Sequence, residues 1–426
     1  MKVSVHSNEK NKMKQRNIIK QVKIIILLLI FPYITFSQGN GLYEFIGRNG
    51  KYGFMDKTGE VVIPAKYIYV NKFSEELAFV AETQDTLGYE EWICIDTLGR
   101  EQFRIKKRCY PKESFSERLA VIHDWDTDKD WFIDKSGKEV FSKKFRSACE
   151  FTNGYARVSD KKYGDEPYFI DKKGKKAKHL PENGSIFQNG ISYCGNKLID
   201  TLGNIFIDSI DDWTGADMDY LKVKRKDKWG FIDRKGNIII DFQYEEDRNK
   251  RFDKFLMLNT DSLDALPKAR FRNVGYFHEG LASLQIDSLY GFINLKNKIV
   301  IEPIFKGVSY FSEGLAGATL DGKTWGFINK EGEFEIEPQY YMVDEFKNGI
   351  CAVSNIDIPR FINDYNLNVI INKKNEILFK DDMHSYLGFQ GELIKYYDGA
   401  DFGGRIHYIN KNARLVVPKQ YKKNKR

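Results

Sequence analysis

The chain has 426 residues, 42% of them hydrophobic and 14% aromatic, a composition that excludes a mainly disordered polymer. Its formal charge of +7 is unevenly placed: residues 1–37 hold seven lysines and arginines against Glu9 alone, leaving about +1 for the rest. A body so close to neutral offers no electrostatic footing for nucleic acid.

The basic start runs into an apolar stretch of eight residues, 24–31, then Pro32 and the small-residue site Thr35-Phe36-Ser37. That order is the order of a secretory signal, with cleavage after Ser37 leaving Gln38 first. The apolar run falls well short of the roughly 20 residues of a spanning helix, so no stable membrane span is expected after cleavage. No cysteine follows it to carry a lipid anchor. The protein is expected to be exported, to the periplasm, the cell surface or the medium.

Beyond Gln38 the sequence repeats itself. Tyr52-Gly53-Phe54-Met55-Asp56-Lys57-Thr58-Gly59 returns as Trp229-Gly230-Phe231-Ile232-Asp233-Arg234-Lys235-Gly236, and again as Trp325-Gly326-Phe327-Ile328-Asn329-Lys330-Glu331-Gly332. Looser copies centre on Asp96, Asp134, Asp171, Asp200, Asn294, Asn372 and Asn410, with Gly99, Gly137 and Gly174 closing three of them. A second phrase accompanies them, as in Phe73-Ser74-Glu75-Glu76-Leu77-Ala78 and Phe311-Ser312-Glu313-Gly314-Leu315-Ala316.

The local chemistry favours strands. Large apolar residues alternate through aromatic-Gly-Phe-Ile-Asp, and a β-branched run such as Val61-Val62-Ile63 follows. Asp-x-x-Gly between them is a type I turn whose last residue is left-handed, the common longer hairpin loop. Asn297 and Asn375 stand where glycine is missing, and asparagine is the next most tolerant residue of that backbone. Ala413 does not fit this account. Pro64, Pro303, Pro338 and Pro418 fall just after the second strand, where a ladder donor can be absent. One such unit cannot bury its apolar face alone, whereas stacked units share a continuous core.

The aromatic-Gly-Phe-Ile-Asp-x-x-Gly phrase, the Ile-Pro after it and the Phe-Ser-Glu-Gly-Leu-Ala half resemble the WG-repeat (KWG-repeat) family of bacterial proteins, over residues 41–421. The third, fourth, fifth, ninth and tenth copies depart most, lacking the aromatic-Gly pair. The resemblance implies an all-β array with an interaction role and no catalytic residues. The expected fold is all-β, a tandem array of ten or eleven hairpin or meander repeats in an open curved or superhelical line. A propeller-like closure is the alternative, disfavoured because propellers usually hold four to eight blades. The expected divisions are a signal at 1–37, repeats at 38–244, an irregular insertion or degenerate repeat at 245–284, and repeats with a basic tail at 285–426.

Stretches that imitate chemistry need separate weighing. Asp124, Asp126, Asp128 and Asp130 resemble the start of an EF-hand loop, but Lys129 and Lys135 stand where it needs glycine and glutamate. Gly317–Thr324 matches the P-loop pattern letter for letter, yet Trp325-Gly326-Phe327-Ile328 after it is a repeat strand where the phosphate site needs a helix. The histidines lack zinc spacing. The five cysteines lack CxxC spacing and read as small strand residues. Acidic pairs such as Glu75-Glu76, Asp211-Asp212 and Glu245-Glu246 read as solvated turns. No catalytic, cofactor or metal residues are therefore expected. The expected function is a non-catalytic protein-binding scaffold of the cell envelope. A glycan-binding surface using off-register aromatics such as Trp125 and Trp213 is the alternative, and a hydrolase with an unrecognised site the weakest of the three.

Overall fold

The computed structural model describes residues 41–161, 166–215, 218–245, 272–355, 367, 369–380, 387–390, 393–398, 405–412 and 414–419. The expected signal, its cleavage site at Ser37 and Gln38, and most of the irregular segment (246–271) lie outside them. Among the described residues no helix is long and apolar enough to cross a membrane.

The described residues form ten small antiparallel sheets in chain order, at 42–67, 69–104, 109–134, 147–171, 192–207, 212–244, 272–305, 307–340, 342–380 and 387–416. Each holds one copy of the hairpin turn. The eighth shows the plan. Short strand Gly307–Val308 leads to a two-residue turn, bridged from Ser312 to Leu315. Ala316–Thr319 then pairs with Trp325–Ile328, and that strand with Phe334–Tyr340. The turn residues Glu313 and Gly314 both have positive φ, the backbone of a type I′ hairpin loop.

The sequence phrase therefore straddles the structural unit: the Phe-Ser-Glu half opens a sheet and the aromatic-Gly hairpin closes it. Residues 272–284, the described end of the expected insertion or degenerate repeat at 245–284, join the seventh sheet. Arg272–His278 pairs with Leu281–Ile286, which pairs with Leu289–Asn294 of the hairpin at Asn294.

The aromatic-Gly pair has a steric cause. Tyr290 faces Phe305 and Phe292 faces Ile301, so the outer strand carries extra residues across Gly291 and bulges towards it, with Pro303 in the bulge. A Cβ on Gly291 would sit 2.2 Å from the carbonyl oxygen of Ile301 and 2.7 Å from the nitrogen of Pro303. A Cβ on Gly326 would likewise lie 2.2 Å from the Ile336 carbonyl oxygen, and one on Gly53 2.6 Å from the Ile63 oxygen. Only glycine lets the two backbones approach this closely.

The core lies between successive sheets. Phe327, Ile336 and Tyr340 of the eighth pack with Phe346, Cys351 and Val353 of the ninth. Phe54, Ile63 and Tyr67 of the first pack with Phe73, Val80 and Ile93 of the second. The last sheet packs in turn on the first: Leu393, Tyr408 and Val416 join Tyr43, Phe45 and Met55 in one cluster, and the Tyr43 and Tyr408 rings lie 5.3 Å apart. Lys395 Nζ donates to Glu44 at 2.7 Å, and the Lys419 amide to the Gly59 carbonyl at 2.8 Å. The all-β repeat array is thus as expected, and these contacts favour the propeller-like closure over an open line.

Candidate functional site

The turn residues come first because they recur in every unit. At Asp56, Oδ1 accepts the amides of Thr58 (2.8 Å) and Glu60 (2.9 Å), while the Gly59 amide donates to the Asp56 carbonyl. The same two side-chain bonds recur at Asp96, Asp134, Asp171, Asp200 and Asp233. They recur again at Asn294, Asn329, Asn372 and Asn410. Gly59, Gly99, Gly137, Gly174, Gly236 and Gly332 all have φ between 73° and 87°, the left-handed region the turn requires.

These turns also join neighbouring sheets. Gly99 faces the Ile63 side chain, Gly332 the Ile301 side chain and Gly236 the Phe206 carbonyl of the sheet before. Gly59 faces the Val417 carbonyl, so the closing joint repeats the kind of contact that Gly236 makes with Phe206. Asn297 and Asn375 do more than tolerate the backbone. Each accepts a hydrogen bond from the preceding sheet's terminal tyrosine, Tyr244 and Tyr340, the latter at 2.5 Å.

The aspartate turns differ from the asparagine turns in acid. The Ser136 hydroxyl holds the Asp134 carboxyl, and the Asn237 side chain the Asp233 carboxyl, below the ordinary value. At Asp56, Asp96 and Asp200 partial burial pushes the other way, but hydrogen bonds from the turn outweigh it and the carboxyls are again lowered. A folded value below the unfolded one, about 3.9 for aspartate, contributes stability above that pH and loses it as pH falls through the folded value. Asn294, Asn329, Asn372 and Asn410 do not titrate. Between about pH 5 and pH 2, hydrogen-exchange protection corrected for intrinsic rates is expected to drop at the turns of Asp56, Asp96, Asp134, Asp200 and Asp233 first. Uniform loss along the chain would contradict this.

A second device clamps the leading turns. Glu75 accepts the Arg118 amide of the next sheet at 3.0 Å and pairs with Lys135 at 3.1 Å. Glu117 takes the Gly154 amide and Lys172, Glu279 the Gly314 amide and Lys330, and Glu313 the Asn348 and Gly349 amides with Lys373. Asn153 fills the place of the glutamate on Gly190. Serines add to it: Ser74, Ser116 and Ser312 donate to the carbonyls of Phe115, Phe151 and Phe346 in the following sheet. Glu75, which reads as a solvated turn residue in the sequence, is therefore a joint, as are Glu117, Glu279 and Glu313. Glu313→Ala is expected to lower stability by about 1–2 kcal/mol, because two amides lose their acceptor. Lys373→Ala should cost less than half as much, since its ion pair with Glu313 and its bond to the Glu313 carbonyl at 2.7 Å are both exposed and contribute little. Equal losses in urea titrations would assign the joint to the ion pair instead.

The acidic stretch 124–130 is a hairpin end whose carboxylates are already engaged. Asp124 accepts the Asp126 amide at 2.9 Å, Asp126 pairs with Arg108 at 2.7 Å, and Asp128 pairs with Arg146. Asp130, 1% exposed, accepts from Lys112 Nζ at 2.8 Å and the Ala148 amide at 2.7 Å, with His123 Nδ1 at 2.7 Å. Only His123 lies near two of them, Asp128 and Asp130; otherwise the four groups point to different partners rather than to one centre. Among the described residues no group of three or more His, Cys, Asp or Glu side chains could hold a metal ion.

The P-loop lookalike is built as a turn between strands Ala316–Thr319 and Trp325–Ile328. Asp321 accepts the Lys323 and Thr324 amides at 2.7 and 2.8 Å, so its own carboxylate occupies the donors a phosphate would use. Partial burial opposes ionisation there, but those bonds prevail and bring its pKa down to about 2. The five cysteines are free thiols; burial raises Cys94 to about 12 and Cys109 to about 11, which keeps them protonated and weakly nucleophilic.

Two off-register tryptophans separate. Trp213 is partly buried against the cluster of Ile191, Leu198 and Val223. Trp125 is 50% exposed, with the rings of Tyr110, His123 and Tyr89 at 5.0, 5.4 and 6.2 Å.

A family model described as "WG containing repeat" matches residues 52–82, 132–162, 229–246, 290–323 and 325–355. No curated protein matches the chain. Among solved structures, a eukaryotic initiation factor is similar at a TM-score of 0.37 and 12% identity, over 83% of this chain and 90% of that one. AztD from Citrobacter koseri is similar at 0.28 and 11%, over 88% and 92%. Hsv2 from Kluyveromyces lactis is similar at 0.28 and 11%, over 66% and 91%. Likenesses this slight carry no weight for function. The family matches fall on the hairpin whose Asp or Asn turn and close-approach glycine recur from sheet to sheet, and the chain belongs to the WG-repeat family.

Proposed function

We propose that the chain is an exported, non-catalytic scaffold that binds a protein partner in the bacterial cell envelope. One observation carries the reading. The outer edge strands expose an aliphatic side chain at the same place after the turn: Ile205, Ile238, Ile299, Ile377 and Leu415, each between 42% and 58% exposed. On strand Ile299–Phe305 two more join it, Val300 and Ile304. Apolar residues recurring along unpaired strand edges suit an extended protein partner, which would gain main-chain bonds and side-chain contacts together. The basic and apolar N-terminus supports export.

The test passes solubilised envelope over the immobilised chain from Gln38 onward, beside a Val300→Lys/Ile304→Lys variant. A stoichiometric protein retained by the parent and lost by the variant is the expected result. Retention by neither, or equally by both, would overturn the edge-strand reading. Export is tested separately by the mature N-terminus: a chain beginning at Gln38 in the envelope fraction is expected, and an intact chain in the cytoplasm refutes it.

A further inference from the structure

The neighbourhood of Trp125 combines features that the scaffold reading leaves unused. The indole is tilted by 32° against Tyr110 and meets His123 edge-on, yet half of it remains open. Beneath it, buried Asp130 fixes His123 and Lys112, so the aromatic floor is held by a network with little freedom. Around it stand Arg108, Asp126 and Asp128, each part-exposed.

The chemistry of these groups selects a ligand class. A cationic ligand finds the face of Tyr89 already taken by Arg108, at 5.1 Å, and Asp126 and Asp128 already neutralised by Arg108 and Arg146. An anionic ligand finds the guanidinium groups of Arg108 and Arg146 committed to the same two carboxylates. A purely apolar ligand would strip water from a charged rim. A neutral polyhydroxylated ring suits every part: its C–H face covers the open indole, and its hydroxyls exchange hydrogen bonds with the carboxylates and the guanidinium.

We propose that the nest of Trp125, Tyr110, Arg108, Asp126 and Asp128 is a carbohydrate-binding site that stacks one pyranose unit on Trp125. This site is independent of the protein-binding edge strands, and either can fail without the other.

The purified chain is titrated with cellotetraose and with chitotetraose, whose equatorial substituents leave flat C–H faces, by calorimetry and saturation-transfer NMR. At least one is expected to bind, with Trp125→Ala weakening it about tenfold or more and Trp125→Phe by less, since aromatic stacking contributes on that scale. Circular dichroism and urea midpoints identical to the parent show that each variant is folded. Absence of binding by both sugars at about 10 mM, or unchanged affinity in Trp125→Ala, overturns the proposal.

Discussion

Gly326→Ala is expected to unfold at a much lower urea concentration than the parent chain, with a loss of about 3 kcal/mol or more. The added Cβ would lie 2.2 Å from the Ile336 carbonyl oxygen and 2.7 Å from Pro338 N, both backbone atoms of a hydrogen-bonded neighbour. No rotamer change relieves such a contact, so the sheet itself must shift, and overpacking of this kind costs about 1–3 kcal/mol or beyond. Gly314→Ala provides the comparison. Nothing lies within 4 Å of its Cβ position, but its φ is +87°, so only the left-handed backbone cost of about 1–2 kcal/mol applies. Similar midpoints for the two variants would show that the close approach is not what the aromatic-Gly pair is for.

Tyr408→Ala should act on the joint between the last and first sheets. Its ring is fully buried, packed edge-on to Tyr43 in a cluster shared with Phe45, Met55 and Val416. Removing a large buried aromatic costs about 3–5 kcal/mol. That joint has no chain running through it, so the loss falls on non-covalent contacts alone. Faster hydrogen exchange at Leu42–Ile46 and Arg405–Ile409, with a larger radius of gyration by small-angle scattering, is the expected result. Unchanged protection at Leu42–Ile46 would mean that the Lys395–Glu44 and Lys419–Gly59 bonds suffice to hold the ends.

The hairpin half of the unit was legible because it is local. Asp-x-x-Gly fixes its own backbone through bonds spanning two to four residues, and Asp56 or Asn329 needs no distant partner to do so. The phase of the unit was not legible, because nothing local tells whether Phe277-His278-Glu279 belongs with the strand before it or after it. Strand pairing within the seventh sheet decides that. Glu75 reads as solvent-facing because its partner Arg118 lies 43 residues away. Trp125 and Trp213 looked alike in sequence. Only the packing of Ile191, Leu198 and Val223 against one of them separates a partly buried residue from an open one.

The contact of Gly59 with the Val417 carbonyl has a wider consequence. Since the meeting of the ends reuses a contact made inside the chain, the sheets have a cyclic order with no privileged first member. The angle at each joint is then tied to how many members there are. Gaining or losing one cannot be absorbed where it occurs; every other joint has to open or tighten by an equal share. The number of sheets is thus held collectively, ten among the described residues, and drift within one repeat is tolerated more readily than a change in their count.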